Sequence, residues 1–158
     1  LYTSRNHHPE AARRYRAEYT DLDALLGAAD FVTLHTNLSP ETHHLMNDAR
    51  FRAMKPGSVL VNTARGPVVD PAALYRALTR GPLACAALDV TEPEPLPPGD
   101  PLFALENIII SPHIASASYG TRARMAAMAA ENLLAGLRGE RLPHCVNPQV
   151  YPGGGPAA

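Results

Sequence analysis

Three side chains in this 158-residue chain could do chemistry if the fold brought them together: Arg65, Glu94 and His113. Arginine offers a planar fork of donors that matches a carboxylate in two parallel hydrogen bonds. Histidine can give and take a proton near neutral pH, and a neighbouring carboxylate fixes the orientation of its ring. Such a trio suits a small 2-oxo acid: the arginine holds the acid group, and the histidine protonates the ketone oxygen as a hydride reaches the carbon. On residue types alone the plain alternative stays open. An arginine after a strand is commonly a solvated charge, and a histidine ahead of an apolar stretch is commonly just packed.

Each of the three must be placed by the element before it. Apolar runs at 31–34, 58–61, 85–90 and 108–111 have the length of buried strands, and the stretches between them have helical spacing. Helices are expected over 9–15, with Pro9 in the first turn, and over 21–28, where Leu22, Leu25 and Leu26 share a face. A short helix at 48–54 stops at Lys55-Pro56-Gly57. Asp70 caps the next helix, because its carboxylate can accept free first-turn N–H groups, and Pro71 takes the first helical position. Leu74, Ala77 and Leu78 form the inner face of that helix, and Gly81 ends it. A long helix over 119–137 carries Ala126, Ala129, Ala130, Leu133, Leu134 and Leu137 on one stripe. Leu1-Tyr2-Thr3 reads as the end of a further strand.

Strands alternating with helices make βα units, hence an α/β fold: a Rossmann-like, doubly wound parallel sheet with helices on both faces. Ligands of such sheets bind at the carboxyl ends of the strands. That points to Arg5, residues 35–37, 63–66, 89–94 and 113–116, a set that contains Arg65, Glu94 and His113. The composition is that of a soluble globular domain, 46% hydrophobic and 18% charged with a net charge of -1, so neither a nucleic acid nor a membrane is an expected partner. The longest apolar run, around Ile108 to Ile110, is strand-sized and far short of the ~18 residues of a membrane helix. Two cysteines, Cys85 and Cys145, make no disulfide scaffold and no metal spacing, so a reducing, cytoplasmic setting is the default expectation.

Three segments carry a family resemblance. Val61-Asn62-Thr63-Ala64-Arg65-Gly66, Ala87-Leu88-Asp89-Val90-Thr91-Glu92-Pro93-Glu94-Pro95 and Ser111-Pro112-His113-Ile114-Ala115-Ser116-Ala117 resemble the signatures of the D-isomer-specific 2-hydroxyacid dehydrogenases, in order and at the family's spacing. The resemblance runs from Leu1 to about Asn147. It implies that Arg65 binds substrate carboxylate and carbonyl, that His113 is the proton donor in reduction, and that Glu94, rather than Glu92, is its partner. Substrate would contact Arg65, His113 and Ser116. Asp89 matches an aspartate near the nicotinamide, and Thr63 and Ala64 match backbone contacts to the cofactor. Two positions depart from the family: Ala115 stands where glycine is usual, close to the nicotinamide, and Asn37 stands at a cofactor contact where proline or serine is more common.

In dinucleotide-binding folds an acid at the end of the second strand binds the ribose of NAD, while a nearby arginine accommodates the 2′-phosphate of NADP. Here the segment is Thr3-Ser4-Arg5, with no acid until Glu10, so Ser4 and Arg5 are expected to hold that phosphate and NADP(H) is preferred over NAD(H). Glu94-Pro95-Leu96-Pro97 and 132–139 resemble the glyoxylate/hydroxypyruvate reductases, whose reaction is reduction of these 2-oxo acids to glycolate and D-glycerate. Formate dehydrogenases of this fold pair the histidine with glutamine, which Glu94 argues against. Other readings stay open: a D-2-hydroxyacid dehydrogenase for a larger substrate, a cofactor-sensing corepressor-like module that turns over slowly, or an inactive remnant. The family also implies a homodimer for the complete enzyme.

The glycine-rich fingerprint G-x-G-x-x-G that cradles a pyrophosphate at a helix N-terminus does not occur in these residues, and Gly153-Gly154-Gly155 follows no strand. The opening residues therefore read as the middle of a longer chain. The expectation is a partial NAD(P)-binding domain over 1–146, lacking its first βα unit, and a flexible tail over 147–158. Such a domain should expose an apolar sheet edge and leave the long helix short of docking surface. His7-His8, His35 and His43-His44 invite a metal reading. Adjacent histidines point different ways on a helix or a strand, and no cysteine or acid completes a ligand set at a recognisable spacing, so no metal is expected.

Overall fold

The computed structural model describes residues 1–152. It forms two compact units, Leu1–Ile114 and a second that begins at Ala115. The first unit opens with α1 (Pro9–Tyr15) and α2 (Leu22–Ala28), followed by β1 (Phe31–Leu34), α3 (Asp48–Ala53), β2 (Ser58–Asn62), α4 (Pro71–Arg80), β3 (Leu83–Leu88) and β4 (Ile108–Ile110). The four strands are parallel, in the order β1-β2-β3-β4. This is the α/β, Rossmann-like architecture expected from alternating strands and helices.

Capping sets the helix starts. Asp70 Oδ1 accepts from the N–H groups of Ala72 at 2.9 Å and Ala73 at 3.1 Å, with Pro71 at the first helical position, as the residue types predict. Asp21 caps α2 and Asn47 caps α3 in the same way. Gly81 does end α4, but through an extended backbone rather than a left-handed turn, and its requirement is space: a Cβ there would lie 2.6 Å from Ala77 Cα. Leu1-Tyr2-Thr3 forms no strand. Tyr2 makes one isolated parallel bridge to Tyr19.

The core lies on one face of the sheet. Val32, Leu34, Leu60, Ala86 and Leu88 point into a buried cluster with Leu26 of α2, Phe51 of α3 and Leu74, Ala77 and Leu78 of α4. The other face of this unit carries Phe31, Val59 and Cys85 in one row and Thr33, Val61, Ala87 and Ile109 in the next. Phe31 and Ile109 are largely exposed there, so within the first unit the helices packed on the core cover one face rather than two.

The second unit is built on α5 (Tyr119–Leu137), which Ser118 caps by accepting from Thr121 N–H at 3.2 Å. Gly139, at φ 70, closes the helix, and Glu140 N–H bonds back to Ala135 O at 2.9 Å. The following segment returns along the helix end: His144 N–H donates to Asn132 Oδ1, and Leu142 N–H to the Tyr151 hydroxyl oxygen. The expected inner stripe of α5 is exposed at Leu133, Leu134 and Leu137, and only Ala135 is buried. Of the expected tail, Pro148–Val150 is a 3-10 turn, and 153–158 lie outside the described residues. Among the described residues no helix is long and apolar enough to cross a membrane.

Candidate active site

The turns that leave β2, β3 and β4 start from neighbouring parallel strands, so their first residues lie about 4.8 Å apart in succession. The ladder continues past the strand ends: Asp89 N–H donates to Asn62 O at 2.9 Å and Ser111 N–H to Leu88 O at 2.8 Å.

Asn62, fully buried at the end of β2, shapes the first turn. Its side-chain oxygen accepts from Ala64 N–H at 3.0 Å, and its side-chain N–H donates to Arg65 O at 3.0 Å. Both ends of the amide are satisfied, which offsets its burial and makes the turn hard to deform. Arg65 projects from this turn with an exposed side chain whose Nη1 donates to Ala64 O at 2.6 Å, not to Glu94 or His113. Gly66 follows. A Cβ at that position would stand 1.8 Å from the Thr91 carbonyl oxygen, so this turn is seated directly on the one after β3.

Asp89, buried at the end of β3, reaches across to the turn after β4. Its carboxylate accepts from Ser111 Oγ at 2.6 Å and from Ile114 N–H at 2.9 Å, bracketing His113. His113 itself has a left-handed backbone, φ 55. Its Nδ1 lies 2.6 Å from Glu94 Oε1, with both side chains about half exposed. A pair so open to solvent contributes little to stability. It points the ring and leaves Nε2 outside the pair. Glu92 is turned elsewhere, towards His43 and His44.

Of the remaining predicted residues, Ser4, Arg5, Asn37, Thr63 and Ala64 line two adjoining cavities that share His35, Thr36 and Asn37. One, of about 490 Å³, is walled by these and by Thr63, Ala64 and Arg65. The other, of about 990 Å³, extends to Ser4 and Arg5 along the free edge of β1. Asn37 is held through its carbonyl, which accepts from Thr42 Oγ1 at 2.7 Å. Ala115 and Ser116 fall in the second unit, in an exposed turn ahead of α5.

Local sequence missed four contributors. Asn62 and Ser111 lie inside the quoted signatures, and a polar residue closing an apolar strand is the signal that could have found Asn62. Gly66 has no signal beyond being glycine. Glu41 lies far from Arg5 in sequence yet lines the same cavity. The Ser39 hydroxyl, bonded to it at 2.7 Å, and its own backbone N–H hold the Glu41 carboxyl below the ordinary glutamate range, with the positive charge of Arg5 adding to this and burial opposing it. The absence of an acid between Ser4 and Glu10 thus does not leave Arg5 without an acidic neighbour.

The expected divergence of adjacent histidines also fails at His43-His44. They sit in a turn, neither helix nor strand, and His44 has a left-handed backbone, φ 50. Their rings stack with centroids 4.0 Å apart.

Residues 1–115 match the sequence profile described as D-isomer specific 2-hydroxyacid dehydrogenase, NAD binding domain. The chain is 52% identical over 150 residues to a glyoxylate/hydroxypyruvate reductase B of Citrobacter koseri, covering 95% of this chain and 46% of that protein. It therefore spans about half the length of the curated relatives it matches. Among solved structures, the TT0316 protein from Thermus thermophilus superposes with a TM-score of 0.85 at 53% identity, over 92% of this chain and 45% of that one. A D-isomer specific 2-hydroxyacid dehydrogenase from Xanthobacter autotrophicus Py2, solved in complex with NADPH and MES, superposes with a TM-score of 0.67 at 40% identity, over 82% of this chain and 52% of that one.

Proposed function

The chain belongs to the D-isomer specific 2-hydroxyacid dehydrogenase family, and we propose that the complete protein uses NADPH to reduce glyoxylate and hydroxypyruvate to glycolate and D-glycerate. The observation that carries this reading is the His113–Glu94 pair, 2.6 Å apart, beside a turn that presents Arg65 at the carboxyl end of the same parallel sheet. The reductase names of relatives at about half identity support the substrate class.

Asn37, Thr63 and Ala64 in one cavity, and Ser4 and Arg5 in the other, support the binding of a dinucleotide along this edge. When bound, that cofactor supplies a hydride. Ser4 and Arg5 hold the ribose 2′-phosphate at one end, which makes NADP(H) the preferred form over NAD(H), and Asn37, Thr63, Ala64 and Asp89 hold the nicotinamide half. Relatives solved with NADPH and with NAD support binding of a nicotinamide dinucleotide. Arg65 turns its guanidinium from Ala64 O to the substrate carboxylate, binding it through two parallel hydrogen bonds. His113 then donates its Nε2 proton to the ketone oxygen, while Glu94 at Nδ1 keeps the ring aimed. The complete enzyme is a cytoplasmic homodimer in this reading, and the free cysteines Cys85 and Cys145 fit a reducing compartment.

The test is Arg65→Ala in the complete protein, with NADPH consumption followed against hydroxypyruvate. Loss of two charge-assisted bonds to the substrate predicts a fall in kcat/KM on the order of a thousandfold. Parent-like kinetics would overturn the role assigned to Arg65.

A further inference from the structure

One cluster of metal-ligating side chains lies outside the residues the proposed reaction uses. His44 Nε2 is 2.6 Å from Glu92 Oε2, and His43 Nε2 is 3.7 Å from Glu92 Oε1. The three ligand atoms lie within 4.8 Å of one another. An ordinary ion pair needs only one histidine. Here both rings are stacked, so that each presents its outer nitrogen to a different oxygen of the same carboxylate.

Both halves of the cluster are held by their backbones. In the turn that carries the histidines, His43 N–H donates to Ser39 O at 2.9 Å, and Thr42 Oγ1 accepts from Ser39 N–H at 2.8 Å. His44 N–H donates to Pro67 O at 2.8 Å, and the N–H of the fully buried Met46 donates to Val68 O at 3.0 Å. Glu92 follows Thr91, which is buried against Gly66 and whose hydroxyl donates to Pro93 O at 2.8 Å. Only the exposed parts of three side chains need to move to change the spacing of the ligand atoms, so little ordering remains to be done on binding.

We propose that His43, His44 and Glu92 form a binding site for a divalent ion of the zinc class. Two imidazole nitrogens and one carboxylate oxygen are a zinc donor set, and imidazole disfavours the hard ions magnesium and calcium. Bonds of about 2.1 Å in a tetrahedron place ligand atoms about 3.4 Å apart. The 2.6 Å contact must therefore open, and the 3.7 Å contact close, by less than about 1 Å each, and the stacked rings must turn apart so that both in-plane lone pairs converge on the ion. The proton now shared between His44 Nε2 and Glu92 leaves that nitrogen, for Nδ1 or for solvent, so that the lone pair can bind. Water fills the fourth position. Bound zinc ties the turn carrying His43 and His44 to the loop that carries Glu94, whatever reaction that loop serves.

The experiment is a titration of the chelator-treated full chain with zinc alone, read by competition with a zinc-responsive dye. The expected result is one ion per chain, with a Kd on the order of micromolar. Three variants, each with an unchanged far-ultraviolet circular dichroism spectrum, locate it: His43→Ala, His44→Ala and Glu92→Gln each weaken binding roughly tenfold or more. His144→Ala, which removes the histidine of the unrelated His144–Glu131 pair, leaves it unchanged. Should His44→Ala fail to fold, the exposed His43 and the conservative Glu92→Gln still decide the matter. Absence of binding up to about millimolar zinc, or binding indifferent to His43→Ala and Glu92→Gln, would overturn the proposal.

Discussion

Asn62 and Asp89 are buried, and side-chain hydrogen bonds of each shape a turn at the carboxyl end of the sheet. Ser4 and Arg5, at the other end of the cavities, stand beyond the single bridge from Tyr2 to Tyr19; the Ser4 hydroxyl donates to Asn6 O, and its carbonyl accepts a long bond from the Tyr19 hydroxyl at 3.4 Å. One region is over-determined by the fold, and the other is tuned by exposed side chains. In the proposed reading, orientation for chemistry is built into the sheet, whereas cofactor selection is adjustable without disturbing the core.

Substitution should break the two regions unequally. Gly66→Ala forces a methyl onto the Thr91 carbonyl oxygen, a backbone atom that cannot step aside. It is expected to cost about 3 kcal/mol in chemical denaturation and to displace Arg65 with it. Asn62→Ala is next: it strips Ala64 N–H and Arg65 O of their partner inside the fold, for about 2 kcal/mol. A denaturation midpoint unchanged in both would remove the claim that buried contacts hold this turn. Arg5→Ala is expected to leave the midpoint where it is, while raising the KM for NADPH by roughly tenfold relative to that for NADH. Equal effects on both cofactors would mean that Arg5 does not read the phosphate.

Sequence periodicity locates the strands and helices because apolar spacing reports directly on a buried face, and Asp70-Pro71 is a cap that needs no tertiary partner. The Arg65, Glu94 and His113 positions are legible through family signatures, and the pairing of His113 with Glu94 rather than Glu92 matches the expected partner. What stays hidden depends on distant chain. The role of Gly66 is defined by Thr91, the charge beside Arg5 comes from Glu41, and His43-His44 converge because of one left-handed residue in a turn. The stripe on α5 reads as an inner face, but amphipathic spacing says only that a face seeks cover, and Leu133, Leu134 and Leu137 are exposed.

The sharpest test of His113 as the proton donor is His113→Asn in the complete protein, with hydroxypyruvate turnover and NADPH affinity measured on the same sample. Asparagine fits the turn's left-handed backbone and cannot serve as the acid. The expected result is that kcat falls on the order of a thousandfold while the Kd for NADPH stays within about threefold. Retained turnover, or turnover and cofactor affinity lost in parallel, would contradict the role.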